Sequence, residues 1–99
     1  LKNDAKDFVS WTELGNLYFE NKPKEAQEAY QKALDLKADY FFALLNYGKL
    51  QLAQKNYDAS VETLTKAVTL EPTSPDVNHY LGEAYLGAKK GSKAVGYLN

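Results

Sequence analysis

The stretch Trp11-Thr12-Glu13-Leu14-Gly15-Asn16-Leu17-Tyr18 decides how this 99-residue chain reads. Trp11, Leu14, Gly15 and Tyr18 fall at i, i+3, i+4 and i+7, which places them on one face of a helix. The spacing returns at Leu44, Tyr47, Gly48 and Gln51, and again at Leu81, Gly82 and Tyr85. Gly15, Gly48 and Gly82 stand 33 and 34 residues apart. Ala33 and Ala67 are separated by 34, and so are the small residues Ala26, Ser60 and Ala94. Three rows of small residues sharing one period mark an internal repeat.

Each unit reads as two helices. The second helix carries Ala26, Tyr30, Ala33 and Leu34 in the first unit, and Ser60, Leu64, Ala67 and Val68 in the next. The third copy begins with Ala94 and Leu98 and stops. Turn chemistry separates the runs. Pro23 suits a first helical turn. Pro72 ends the fourth helix. Ser74-Pro75-Asp76 supplies an N-cap, a first-turn proline and an acid that favours the helix dipole. Lys89-Lys90-Gly91 reads as a helix C-terminus with a permissive glycine. Helices are expected near 8–20, 24–37, 41–54, 57–71, 75–88 and 92–98, with no strand-like alternation between them. The fold class is all-α, a solenoid of about two and a half stacked antiparallel helix pairs. The units span 8–40, 41–74 and 75–99, the last truncated in its second helix. Residues 1–7 read as the tail of a preceding unit or a linker. One unit cannot bury its own apolar face, so the units must stack.

Composition narrows the function. The formal net charge is -1, and all 12 cations are Lys, with no Arg. Neither nucleic acid nor an anionic membrane surface finds a basic field here, and the two-pronged guanidinium grip on phosphate is missing. The chain has no Cys, hence no disulfide or thiolate chemistry. No apolar run approaches the roughly 18 residues of a membrane span. Without any Met, and with neither end resembling a polar cap, the chain reads as a piece of a longer protein.

The row Trp11-x-x-Leu14-Gly15-x-x-Tyr18, followed by Ala26, Tyr30 and Ala33, resembles the tetratricopeptide repeat. Leu44, Tyr47, Gly48, Ser60, Leu64, Ala67 and Pro72 form a second copy, and Leu81, Gly82, Tyr85, Ala94 and Leu98 a truncated third. Departures occur at Ala38, where proline is frequent, at Gln51, where an aromatic is usual, and at Asn78, where Trp or Leu is usual. The resemblance implies a right-handed superhelix whose first helices line a concave groove that holds a peptide or helix of a protein partner.

The residues support such a face independently. On the third helix Leu44, Tyr47, Gly48 and Gln51 serve the repeat core, while Phe42, Leu45, Leu52 and Ala53 lie on another side, interrupted by Lys49. A helix apolar on most sides is buried on most sides. The matching face carries Val9, Thr12, Asn16, Phe19 and Glu20 on the first helix, and Asp76, His79, Glu83 and Leu86 on the fifth. The expected partner is an apolar, neutral-to-basic segment. Burying about 300 Å² of apolar surface gives roughly 7–8 kcal/mol gross, and ordering costs bring affinity to the micromolar range. Chaperone-associated relatives of the family hold acidic C-termini with two amides and three cations. The amides match at Asn16 and Asn46, but the cation places hold Thr12, Asp76 and Tyr80. Two amides do not offset desolvation of paired carboxylates, so acidic tails are not expected to bind.

Catalysis and metal binding find little support. Asp76, His79 and Glu83 share a helix face at i, i+3 and i+7, a spacing that could offer ligands to Zn²⁺. A single His with two flexible acids is better read as a solvated wall. No serine elbow or phosphate loop is present. The expected function is a non-enzymatic protein-interaction module without cofactors. The alternative is a structural or self-assembly segment, with a homodimer formed through exposed repeat ends.

Overall fold

The computed structural model describes residues 7–89. They form five helices: α1 (Phe8–Tyr18), α2 (Pro23–Leu36), α3 (Phe41–Ala53), α4 (Tyr57–Leu70) and α5 (Pro75–Ala88). Among the described residues there is no strand. The expected helix at 92–98, and most of the Lys89-Lys90-Gly91 terminus, lie outside the described residues.

The junctions follow from local chemistry. Asp7 caps α1 by accepting the backbone N–H of Ser10 at 3.0 Å and the Ser10 hydroxyl as well. Ser74 caps α5 through the Val77 N–H, with Pro75 in the first turn. α1 ends at Tyr18 and not at residue 20, because Lys22 precedes a proline. Its backbone stands at φ -136°, ψ 70°, away from the helical region that the following proline disfavours. The chain must therefore leave the helix early, and Phe19 to Asn21 form the turn. Between α3 and α4 the turn passes through Lys55 at φ 63°, a left-handed conformation that β-carbon sterics disfavour.

Helices pair where side chains are smallest. α1 packs on α2 and α3 on α4, and the pairs join through α2 on α3 and α4 on α5. At Gly15 the Tyr30 ring of α2 lies so close that an added Cβ would stand 2.5 Å from its Cε1. At Gly48 an added Cβ would stand 2.4 Å from Leu64 Cδ2. Ser60, buried at the same crossing, donates its hydroxyl to the Gly48 carbonyl at 2.8 Å. Gly82 meets nothing within 4 Å among the described residues. Ala94 and Leu98, the counterparts of Ser60 and Leu64 in its unit, lie outside them.

Two apolar clusters result. One joins Ala26, Tyr30 and Leu50, with Tyr18, Phe19 and Tyr47 packed around them. The other joins Leu44, Leu45, Leu64, Ala67, Val77 and Ala84. Gln51 stands in the row where the first unit has Tyr18. It is buried, and its side-chain carbonyl has no hydrogen-bond donor among the described residues.

Two outcomes follow. Gly48→Ala forces either Leu64 or the α3–α4 crossing to move, and urea unfolding should show a loss of about 1–3 kcal/mol. Asp7 bears on acid stability. The Ser10 hydroxyl, then the Ser10 N–H, hold its carboxyl below the ordinary 3.8. A carboxylate with a lowered folded-state pKa stabilises the fold above its unfolded pKa, and the gain fades as pH falls through the folded value. The melting-temperature gap between wild type and Asp7→Ala should therefore be steady near neutral pH and close as pH drops below 3.8.

Candidate interaction face

α3 adjoins both α1 and α5, the helices that share its place in the repeat. Two hollows open along them. The larger, about 630 Å³, is lined by Phe19 of the α1 turn, Lys49, Leu52 and Ala53 of α3, Tyr57 of α4, and Tyr80, Glu83, Leu86 and Gly87 of α5. Its neighbour, about 570 Å³, is lined by Asn16, Leu17, Phe19, Glu20 and Asn21 with Asn46 and Lys49. Phe19 and Lys49 stand in both linings, so the hollows adjoin. One hollow is walled mainly by apolar and aromatic groups, while the other mixes three amides with Leu17, Phe19, Glu20 and Lys49.

Local packing positions these walls. Lys49 Nζ lies 5.2 Å from the centroid of the Tyr80 ring, a distance at which a cation is attracted to an aromatic face. Tyr57, the first residue of α4, lays its ring against Gly87, where an added Cβ would stand 2.3 Å from the ring carbons. Glu83 meets His79 with Oε2 and Nε2 2.9 Å apart, both side chains largely exposed. Asn16 accepts a hydrogen bond from the Tyr30 hydroxyl. Tyr30 itself is fully buried, and burial pushes its phenol well above the usual range, so the hydroxyl keeps its proton.

The expected site residues divide into three groups. Asn16, Phe19, Glu20, Lys49, Leu52 and Glu83 line one hollow or both. Thr12 and Leu45 are 3% and 8% exposed, and a ligand has no access to them. Thr12 turns its hydroxyl to the Phe8 carbonyl at 2.8 Å, while Leu45 belongs to the core beside Leu44 and Leu64. Val9, Phe42, Asp76 and His79 line neither hollow. Phe42, 55% exposed, sits in an aromatic string at the start of α3, its ring edge-on to Tyr40 at 5.9 Å and to Phe41 at 5.4 Å.

The expectations omit Tyr57 and Tyr80 from the site. Tyr57 carries a legible signal, since Gly87 is a second glycine in α5 with no counterpart in α1 or α3, where the matching places hold Glu20 and Ala53. A glycine outside the repeat row marks a close approach of its own. Tyr80 has no such signal, and only the position of Lys49 reveals it. Among the described residues no three of His, Cys, Asp and Glu gather where they could hold a metal ion. No helix among them is long and apolar enough to cross a membrane.

Leu17, Leu50 and Ala84 each stand two places after the repeat glycine. Leu50 and Ala84 are 1% and 0% exposed, whereas Leu17 is 76% exposed. A third hollow, about 460 Å³, lies beside Trp11, Leu14 and Tyr18 of α1 and Ala29 of α2, rimmed by Glu25, Glu28, Lys32 and Asp35.

A family model described as tetratricopeptide repeat matches residues 9–40, and another with the same description matches residues 51–99. The tetratricopeptide repeat and J domain-containing co-chaperone DNJ1 of Fusarium oxysporum f. sp. lycopersici is 38% identical over 81 residues. The match takes in 81% of this chain and 15% of that protein.

Proposed function

The chain belongs to the tetratricopeptide repeat family, a protein-interaction fold, and from that premise we propose that it is a non-enzymatic module. It holds an apolar, neutral-to-basic segment of a protein partner along α1, α3 and α5. The carrying observation is the larger hollow, where Phe19, Leu52, Tyr57 and Leu86 surround a volume sufficient for large apolar side chains. Apolar walls with a few polar groups are the usual make-up of a recognition site. Charge favours a basic segment. Of the charged groups in the two linings, Glu20 and Glu83 are acids, and the one cation, Lys49, already rests on Tyr80. Similarity to a co-chaperone agrees with a protein partner.

Leu17 supports a second reading. Its equivalents Leu50 and Ala84 are buried, so Leu17, an exposed leucine at the rim of the smaller hollow, suits association with another copy.

Selection of a random heptapeptide phage library on the protein should yield peptides rich in Leu, Phe or Trp with Lys or Arg nearby. Leu86→Asp, at a side chain 55% exposed, should weaken the selected peptides at least about tenfold by fluorescence anisotropy, or roughly 1.4 kcal/mol. Leu70→Asp, on α4 and outside both hollows, should leave them unchanged. Acidic selected peptides, or insensitivity to Leu86→Asp, would remove the reading. For self-association, light scattering over a dilution series should show a dimer that Leu17→Glu abolishes; a monomer at every concentration rejects it.

A further inference from the structure

If the larger hollow holds a basic segment, as just proposed and as this inference requires, the pull of its acid, Glu83, depends on His79. His79 stands one turn earlier on α5 and lines neither hollow. Its Nε2 lies 2.9 Å from Glu83 Oε2. The neutral imidazole bridges that gap with its proton on Nε2, which donates to the carboxylate and leaves Nδ1 open. Nδ1 makes no hydrogen bond among the described residues, and the side chain is 62% exposed, so solvent can deliver a second proton.

The surroundings of the pair contain few other charges. The His79 ring meets Tyr80 edge-on at 5.1 Å. From α3, Lys49 rests on that same Tyr80 ring. From α4, Tyr57 contributes a phenol to the wall of the hollow. On α5 itself, Asp76 lies one turn before His79 and outside both hollows. Among the described residues Glu83 is the one acid within ion-pair distance of the imidazole.

Histidine is the side chain whose charge ordinarily changes between pH 5 and 8. With His79 neutral, Glu83 offers the hollow a negative charge. With His79 protonated, the pair is neutral as a unit, and a Lys or Arg of the partner gains little from it. We propose that the His79–Glu83 pair makes the site pH-sensitive, holding a basic segment near neutral pH and loosening its grip as the medium turns mildly acidic. The coupling is reciprocal. A cation seated on Glu83 makes protonation of His79 harder by the same factor. Both side chains are exposed, so the effect has the size of a surface ion pair, about threefold to fivefold in affinity.

His79 is the sole histidine of the sequence, which makes its ring a single reporter. The probe is a heptapeptide from the phage selection that contains Lys or Arg and no Asp, Glu or His, synthesised with blocked ends. With the whole chain, fluorescence anisotropy should show binding about threefold to fivefold weaker at pH 5.5 than at pH 7.5, a range in which ordinary carboxylates stay ionised. His79→Gln retains an N–H able to donate to Glu83 and removes the titration. Its affinity should change less than twofold between the two conditions. The ring proton resonance of His79, followed over pH, should titrate about 0.5–0.7 pH unit lower with saturating peptide, which is the same factor seen from the proton's side.

Equal affinity at the two pH values overturns the proposal, as does an undiminished loss in His79→Gln. A titration midpoint that the peptide leaves in place or raises also overturns it. In these cases a persisting effect of Leu86→Asp at pH 7.5 keeps the hollow as the binding place. If Leu86→Asp has no effect, the reading beneath falls and the pH dependence falls with it.

Discussion

Bare backbone at Gly15 and Gly48 is the constraint on which the rest depends. A methyl group at either place would stand within the van der Waals shell of Tyr30 or Leu64. The two helices of each pair thus cross at a separation that any other residue would enlarge. That separation seals Ala26 and Ser60 completely and lets the Ser60 hydroxyl reach the Gly48 carbonyl. It also carries the Tyr30 hydroxyl to Asn16. The geometry of the amide hollow is therefore set at the crossing and not at the surface. Close packing of this kind transmits small displacements, because protein interiors have little free space to absorb them.

The architecture was readable from spacing because the strongest signals are local or periodic. Prolines at positions 23, 72 and 75 mark ends of helices, and the glycine row states where pairs must approach. The early end of α1 shows where that reading slips. Nothing in residues 19–20 forbids a helix, and the break is imposed from three residues downstream by Pro23.

The interaction face was less legible, and α3 explains why. It packs against α1, α2, α4 and α5, so nearly every side of it is apolar and periodicity cannot separate inward from outward. Leu44 and Leu45 are neighbours in sequence and are both buried. Phe42 lies on the same nominal stripe as Leu45, yet it is close to the helix end, where Tyr40 and Phe41 take it into an aromatic string. Thr12 follows a different logic. Its hydroxyl finds a carbonyl in its own helix, which lets a polar side chain sit in a nearly dry place at little cost. Asn16, on the last turn of α1, and Phe19 and Glu20, in the turn beyond it, line the hollows that open beside α3.

Tyr57 belongs to two structures at once. Its ring forms a wall of the larger hollow, and it also lies flat on Gly87 of the next helix. A molecule lodged in that hollow would press on the ring from one side while the backbone of α5 supports it from the other. Occupancy and the rigidity of the joint between α4 and α5 would then be one equilibrium, since whatever favours the intact arrangement also favours the loaded one. A probe of the stiffness between α4 and α5 would then read whether the hollow beside them is filled.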